Sequence, residues 1–104
     1  MTLIDWNGLD STVHGPVRLG VLALLKLDGP LDFTALKKRL GVTDGVLGAH
    51  LLKLEESGYI GCQKSFVGRR PKSRYRLLPS GRAALTRYLE NMRQLIEALA
   101  PRGG

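Results

Sequence analysis

A run of seven basic side chains lies between positions 60 and 82 with no acidic residue among them: Lys64, Arg69, Arg70, Lys72, Arg74, Arg76 and Arg82. The 104-residue chain holds 16 Lys and Arg against 9 Asp and Glu, which gives a formal net charge of +7. The seven cations equal that net charge, so the rest of the chain is balanced. A localised cationic segment favours a polyanionic partner, whereas a scattered excess would favour only solubility.

Patterns that support catalysis or metal binding are missing from the sequence. It has no glycine-rich phosphate loop, no paired carboxylates, no nucleophile elbow and no metal-ligand spacing. We therefore expect a protein that is not an enzyme and carries no cofactor. Cys62 is the only cysteine, so we interpret it as a small core residue rather than a redox sensor. The N-terminus lacks the signal-peptide pattern, and no apolar run approaches the roughly 20 residues that span a bilayer, so a cytoplasmic protein is expected.

Two amphipathic helical patterns with a short connector occupy residues 31–58. Asp32 is the predicted N-cap of the first helix, and Gly41 falls where a helix C-terminus favours glycine. Thr43 is the predicted N-cap of the second helix, and Gly58 marks its end. Two helices joined in this way form the helix-turn-helix pattern, whose second helix can enter a DNA major groove. Removing the apolar stripe of that second helix leaves an outward face of Thr43, Asp44, Gly45, Gly48, Ala49, Leu52, Lys53 and Glu56.

A β-hairpin is predicted to follow. Residues 59–65 and 73–78 have the composition of strands, and Arg74 and Arg76 share one face of the second strand. The segment between them, residues 66–72, is predicted to be a long loop that projects into solvent, because burial would leave its charges unsatisfied. This hairpin, with the cations on it, is called the wing below. Leu31 is expected to add a brief third strand.

The first and last helices frame this region. The first starts near His14, is apolar nearly all round and is expected at the centre of the core. The last, predicted over residues 81–100 with Ser80 as its cap, extends about 30 Å, as long as the domain. Its apolar stripe exceeds what a small core covers, which favours a dimer interface over a helix folded back on its own domain. The predicted interface residues are Trp6, Leu85, Leu89, Met92, Leu95, Ile96 and Leu99.

This order of elements resembles the winged-helix transcriptional regulators of the MarR and ArsR type, particularly the short members of about a hundred residues. The runs VHGPVRLGVLALL, LDFTALKKRLGVTDGVLGAHLLKLEESGYI and KSFVGRRPKSRYRLLPSGRAAL carry the likeness, which covers residues 13–99. It implies a homodimer on a pseudo-palindromic operator in double-stranded DNA, most often acting as a repressor. The chain departs from the family pattern at Val46 and Leu52, where polar or basic groups are usual, and it lacks the Cys-x-Cys and His clusters of metal-sensing members.

The expected fold is therefore mainly α with a small β-hairpin, in the α+β class. We expect one domain over residues 1–104, divided into an N-terminal arm at 1–13, a winged-helix core at 14–78 and a C-terminal dimerisation helix at 80–100. Trp6 in the arm is expected to pack on the domain or on a second subunit. Arg18 is expected to form an ion pair with an acid such as Glu55 or Glu56.

The DNA contacts are predicted on two elements. On the helix over residues 43–57, Thr43, Asp44 and Lys53 offer hydrogen-bonding groups, and Ala49 lies on the same face. No arginine or asparagine there is placed for a bidentate base contact, so direct readout is expected to be modest and supplemented by shape readout. Either close approach of the backbone to DNA or packing against the preceding helix explains the glycines Gly45 and Gly48.

On the wing, Arg69 and Arg70 are predicted to enter a narrow minor groove. Phosphate contacts are expected from Lys64, Lys72 and Arg74. Two other functions stay open at this point. The apolar Val46 and Leu52 would suit a protein-binding module, and the basic wing would suit RNA or general chromatin binding. A small-molecule effector between the first and last helices is also possible, although no convergent polar groups indicate it.

Overall fold

Four helices and a three-stranded antiparallel sheet build the part of the chain that the computed structural model describes, residue 6 and residues 9–101. The sheet has the spatial order β1-β3-β2, since β1 pairs with β3 and β3 pairs with β2. The predicted α+β winged-helix fold is confirmed, and so is the brief third strand that contains Leu31. In chain order the elements are α1 (Pro16–Asp28), β1 (Leu31–Asp32), α2 (Phe33–Leu40), α3 (Asp44–Glu56), β2 (Ile60–Val67), β3 (Arg70–Leu77) and α4 (Pro79–Leu99).

The core forms around α1, which contacts α2, α3, α4 and β3. The predicted central position of this helix is confirmed. The helix starts at Pro16 rather than near His14, because Gly15 has a φ of 116°, outside the helical range, and proline suits the first helical position. His14 instead contacts α4, its Nδ1 lying 2.8 Å from the Tyr88 hydroxyl. The buried cluster comprises Val13, Val21, Leu22, Leu25, Leu36, Leu47, Leu51, Leu54, Ile60, Tyr75, Ala84, Leu85 and Tyr88.

The helix-turn-helix has the predicted caps. The Asp32 carboxylate accepts a hydrogen bond from the Ala35 amide at 2.7 Å, and the Thr43 hydroxyl accepts one from the Val46 amide at 3.3 Å. Each satisfies an amide that has no partner inside its helix. Gly41 ends α2 in the left-handed region at φ 65°, where a side chain would be strained. The turn therefore positions α3 through local signals that the sequence contains.

The wing differs from the prediction, because its strands are longer and its loop is short. β2 and β3 stay paired as far as Val67 and Arg70, so only Gly68 and Arg69 form the turn. Gly68 has a φ of 65°, and tight hairpin turns favour glycine where φ is positive. Pro71 is tolerated inside β3 because β1 pairs only with Arg74 and Tyr75, which leaves β3 a free edge at Pro71.

The start of α4 also differs from the prediction. The helix begins at Pro79, and Ser80 lies inside its first turn instead of capping it. The Ser80 hydroxyl donates to the Gly58 carbonyl, and the Leu78 amide donates to the Tyr59 carbonyl at 3.0 Å. Gly81 packs so tightly that a Cβ there would lie 2.1 Å from the Tyr59 carbonyl oxygen. These contacts fix the N-terminus of α4 against the junction between α3 and β2.

The apolar stripe of α4 is divided between the core and the surface. Leu85 is only 1% exposed, so its assignment to a dimer interface is wrong: its side chain packs in the core of its own domain. Met92 is half-buried against that core and Leu95 is half-buried. The surface-exposed members of the predicted set are Leu89, Ile96 and Leu99 on α4, together with Trp6.

The ion pair predicted between Arg18 and Glu55 or Glu56 does not form. Arg18 is half-buried in α1, and its Nε is buried without a hydrogen-bond partner within residues 9–101. Trp6 is 64% exposed, so it does not dock on its own domain. Most of the predicted arm, residues 1–5 and 7–8, lies outside the described residues.

A half-buried carboxylate joins the segment before α1 to the start of β2. The Asp10 carboxylate accepts hydrogen bonds from the Tyr59 hydroxyl and from the Thr12 amide, the latter at 2.8 Å. Burial alone would raise the pKa of Asp10, but these hydrogen bonds, one from the Val13 backbone and the charge of Arg87 outweigh it and lower the pKa below its usual value.

Acidification is expected to remove this contribution to stability. A lowered pKa in the folded state means that the stabilisation is present above the unfolded pKa, about 3.9, and is lost as pH falls through the folded pKa. We expect Asp10→Asn to cost about 1.5 kcal/mol at pH 7, the lower end of the value of a hydrogen bond to a charged group. Urea unfolding of both proteins at pH 7 and pH 3 measures this. A cost at pH 3 equal to the cost at pH 7 would contradict the assignment.

Candidate nucleic-acid interface

One face of α3 is open to solvent along the whole helix. Leu47, Leu51 and Leu54 face the core, as their helical spacing predicts. Val46 and Leu52 are 44% and 54% exposed, so this face presents two large apolar side chains to solvent. The exposed residues from the N-cap onward are Thr43, Asp44, Gly45, Val46, Ala49, Leu52, Lys53 and Glu56, while Gly48 is half-buried.

Two of the polar groups predicted to contact DNA have protein partners. The Thr43 hydroxyl oxygen accepts the Val46 amide as a helix cap. The Asp44 carboxylate lies 2.8 Å from Lys37 Nζ of α2, in an exposed ion pair. Sequence reasoning recognised the cap and missed the ion pair, which forms only because the turn brings the two helices together. Lys53 is the remaining predicted hydrogen-bonding residue on this face.

The glycines of α3 are not explained by packing. A Cβ at Gly45 or at Gly48 would have no neighbouring atom within 4 Å. The alternative in which Gly48 packs closely against α2 is therefore wrong. Glycine inside a helix costs up to about 1 kcal/mol relative to alanine. No close packing at either glycine offsets this loss of helix stability. The open space is consistent with a surface that another molecule approaches closely.

Replacing Gly48 is expected to separate stability from binding. Gly48→Ala should stabilise the protein by up to about 1 kcal/mol, because alanine favours the helix and its methyl group meets open space. The same methyl should lower affinity for duplex DNA by about tenfold, the cost of an overpacked contact. Thermal unfolding and fluorescence anisotropy with labelled duplex measure the two effects. Higher stability with unchanged affinity would contradict close approach at this position.

The wing carries a row of cations on one face. Side chains alternate along a strand, so Arg70, Lys72, Arg74 and Arg76 of β3 share a face, at intervals of about 7 Å. Their cross-strand partners on β2 are Val67, Ser65, Gln63 and Gly61, none of which is charged. Arg76 was not among the predicted contact residues, although its position two residues after Arg74 places it in this row.

Two other predicted wing contacts lie outside the row. Lys64 pairs with Ser73, on the opposite face of the hairpin from the cation row. Arg69 lies in the two-residue turn at the tip. Two exposed apolar side chains stand beside it, Phe66 at 74% and Val67 at 62% exposure. Both lie in β2 and not in the predicted loop, because the strands extend to the tip.

A single carboxylate connects the wing to α2. The side chain of Asp32 caps α2 and also lies 3.3 Å from Lys72 Nζ of β3. The hydrogen bond from the Ala35 amide is the main reason that the pKa of Asp32 is lowered; burial opposes it, and Lys72 and Arg74 add to the lowering. Asp32 therefore stays ionised near neutral pH and holds one cation of the row in position.

Two clefts on the surface lie away from the predicted effector site. One of about 610 Å³ runs along the outer face of α4, between Pro79 and Glu90. Another of about 570 Å³ separates the wing from the start of α2 and is bordered by Phe33, Val67 and Arg70. Neither lies between α1 and α4, where the sequence suggested an effector.

Metal-binding clusters and membrane-spanning helices are both missing from the described ranges, residue 6 and residues 9–101. No three His, Cys, Asp or Glu side chains there are grouped to hold a metal ion. No helix of these residues has the length and apolarity that crossing a bilayer requires. Cys62 is half-buried in β2 opposite Tyr75, as expected for a small packing residue. Burial, followed by the contact with Cys62, raises the pKa of Tyr75 to about 12.

Known proteins share both the sequence pattern and the fold. Residues 17–96 match the family of the winged helix DNA-binding domain. An uncharacterised protein of Methanocaldococcus jannaschii is 39% identical over 79 residues, which are 76% of this chain and 86% of that protein.

Solved structures show the same arrangement. A transcriptional regulator homologue from Pyrococcus horikoshii OT3 superposes with a TM-score of 0.81 and 26% identity, over 90% of this chain and 94% of that one. A MarR-family regulator from Enterococcus faecalis V583 does so with a TM-score of 0.69 and 28% identity, over 90% and 84%. The chain therefore belongs to the winged helix DNA-binding domain family and is a MarR-like transcriptional regulator.

Proposed function

We propose that the protein is a homodimeric repressor that binds a pseudo-palindromic operator in double-stranded DNA. α3 enters the major groove, and the wing contacts the adjacent minor groove and backbone. The observation that carries this proposal is the cation row of β3 on a hairpin next to an exposed α3. Such a row suits the regular charge of a phosphate backbone, and a helix suits the major groove.

The individual contacts follow from this placement. The α3 residues proposed to meet DNA are Thr43, Asp44, Gly45, Gly48, Ala49 and Lys53. Arg69 and Arg70 at the wing tip are proposed to enter the minor groove, while Lys64, Lys72, Arg74 and Arg76 contact phosphates.

A mobility-shift assay tests DNA binding. The duplex upstream of the protein's own gene serves as probe, with unlabelled duplex and RNA of the same sequence as competitors. We expect the duplex to compete and the RNA to fail. Equal competition by RNA would favour general nucleic-acid binding, and the absence of any shift would favour the protein-binding alternative that the exposed Val46 and Leu52 suggest. Expression of a reporter gene that the bound sequence controls should increase when the gene for the regulator is deleted.

The dimer is proposed to form through the exposed part of the α4 stripe. This helix has 21 residues and therefore extends about 31 Å. The described chain measures 61 × 25 × 22 Å, which is elongated for its length. Leu89, Ile96 and Leu99 are 45%, 61% and 74% exposed. The same helix of a second copy would cover these side chains, and this favours a symmetric interface.

Placing a charge in this stripe is expected to dissociate the dimer. Ile96→Glu should give a monomer at micromolar concentration, because the carboxylate would be buried without a partner. Ala98→Glu adds the same charge on the opposite side of α4, where residue 98 is exposed, and should remain dimeric. Sedimentation equilibrium of the three proteins measures the mass. A monomeric wild type, or equal masses for the two variants, would contradict the interface.

A further inference from the structure

The exposed face of α3 is apolar over its central two turns. Between Asp44 and Lys53, the exposed residues are Gly45, Val46, Ala49 and Leu52. None of their side chains can donate or accept a hydrogen bond. A helix that recognises DNA through hydrogen bonds to base edges would present polar groups at these positions.

The polar groups at the start of this face are also engaged. The Thr43 hydroxyl oxygen accepts the Val46 amide, and the Asp44 carboxylate pairs with Lys37. Both side chains therefore have less capacity for hydrogen bonds to bases than side chains without protein partners would have. The apolar side chains of the first two turns can contact a DNA groove through van der Waals interactions.

The two glycines determine how near that contact can be. A Cβ at Gly45 or Gly48 would meet no protein atom within 4 Å, so both positions leave space on the helix surface. The side chains of Val46 and Ala49 are short. They touch a base edge only when the helix axis lies close to the groove floor, and the missing side chains of the glycines permit this approach.

We propose that α3 recognises its operator mainly through the C5-methyl groups of thymine. In the major groove, the thymine methyl is the one apolar group among the base edges, and small apolar side chains are its natural contacts. Val46, Ala49 and Leu52 supply the methyl-contacting surface, and Lys53 adds a polar contact at its end. This inference rests on the proposed DNA-binding function. The cationic wing beside α3 favours a duplex over an apolar protein partner on this face.

Replacing thymine by deoxyuridine tests the proposal. This change removes the methyl and leaves base pairing and every groove acceptor in place. The probe is a duplex selected from a random library by the full-length wild-type protein. Each thymine is exchanged in turn, and affinity is measured by fluorescence anisotropy. We expect one or more exchanges in each half-site to weaken binding about fourfold, as the loss of one buried methyl group predicts.

Protein variants identify the contacting side chains. Val46→Ala and Leu52→Ala alter exposed residues, so both should fold as the wild type does. Each should weaken binding to the thymine duplex and lose the response to deoxyuridine at the position it contacts. Leu27→Ala removes an exposed leucine from α1 and serves as the matched control, with the wild-type response expected at every position.

The outcomes distinguish a failure of methyl recognition from a failure of the proposed DNA-binding function. Sequence-specific binding that is indifferent to deoxyuridine everywhere would overturn methyl recognition and leave the DNA-binding function standing. A deoxyuridine effect that neither the Val46 nor the Leu52 variant removes would overturn the assignment to α3. Failure to select any duplex would overturn the proposed function together with the inference.

Discussion

Gly81→Ala is expected to destabilise the protein by about 3 kcal/mol, at the upper end of the usual range for an overpacked site. The new methyl carbon would lie 2.1 Å from the Tyr59 carbonyl oxygen and 2.8 Å from its carbonyl carbon. Because the obstacle is backbone, no side-chain rotation relieves the clash. α4 would have to move away from the junction between α3 and β2. The melting temperature should fall by roughly 12–24 °C for a domain of this size.

Gly48→Ala provides the matched comparison, since it makes the same substitution inside another helix where the space is open. The two variants should shift thermal unfolding in opposite directions when protein concentration is held constant. Circular dichroism at several temperatures is sufficient to measure both. If Gly81→Ala melts at or above the wild-type temperature, the close packing of α4 on Tyr59 is wrong.

The largest effect on binding is expected from the wing tip. Replacing both Arg69 and Arg70 by alanine should lower affinity for duplex DNA at least about a hundredfold, since each substitution removes a charged hydrogen-bond donor. The plot of log affinity against log salt should lose about two units of slope, one for each phosphate charge no longer neutralised. Both side chains are exposed, Arg69 in the turn and Arg70 at the first position of β3, so the fold should tolerate the change.

Arg93→Gln is the control for a general loss of positive charge. Arg93 lies on α4, where it pairs with Glu90 at 2.6 Å and with Glu97 at 2.5 Å, away from the wing. Its removal should leave the salt slope unchanged. Anisotropy titrations at four or more salt concentrations give the slopes. A double wing variant with the wild-type slope would show that the two arginines of the tip do not neutralise DNA charge.

Local signals in the sequence were sufficient to predict the helix-turn-helix. Asp32 and Thr43 cap their helices through side chains only three residues from the amides they accept, so both caps were visible in the sequence. Gly41 ends α2 for an equally local reason, its left-handed backbone. The alternation of Arg74 and Arg76 with Tyr75 and Leu77 also predicted which face of the wing carries charge.

Contacts between distant residues could not be predicted in this way. The distance from Gly81 to Tyr59, the ion pair of Asp32 with Lys72 and the burial of Leu85 all depend on how elements pack. The length of the wing loop was overestimated because glycine and proline usually interrupt strands. Pairing across the hairpin overrides that preference here, since the free edge of β3 accommodates Pro71.

The short turn of the wing has a thermodynamic consequence for association with DNA. Residues 66–72 were expected to form a loop of seven residues, yet only Gly68 and Arg69 lie outside the strand ladder. The other five have their backbone conformation fixed when the protein folds. Fixing a backbone costs about 1–2 kcal/mol per residue in conformational entropy. The proposed binding step is therefore free of roughly 5–10 kcal/mol of this entropic cost. A wing of this kind acts as a preformed template, and its binding entropy should be less unfavourable than that of a regulator whose wing becomes ordered only on DNA.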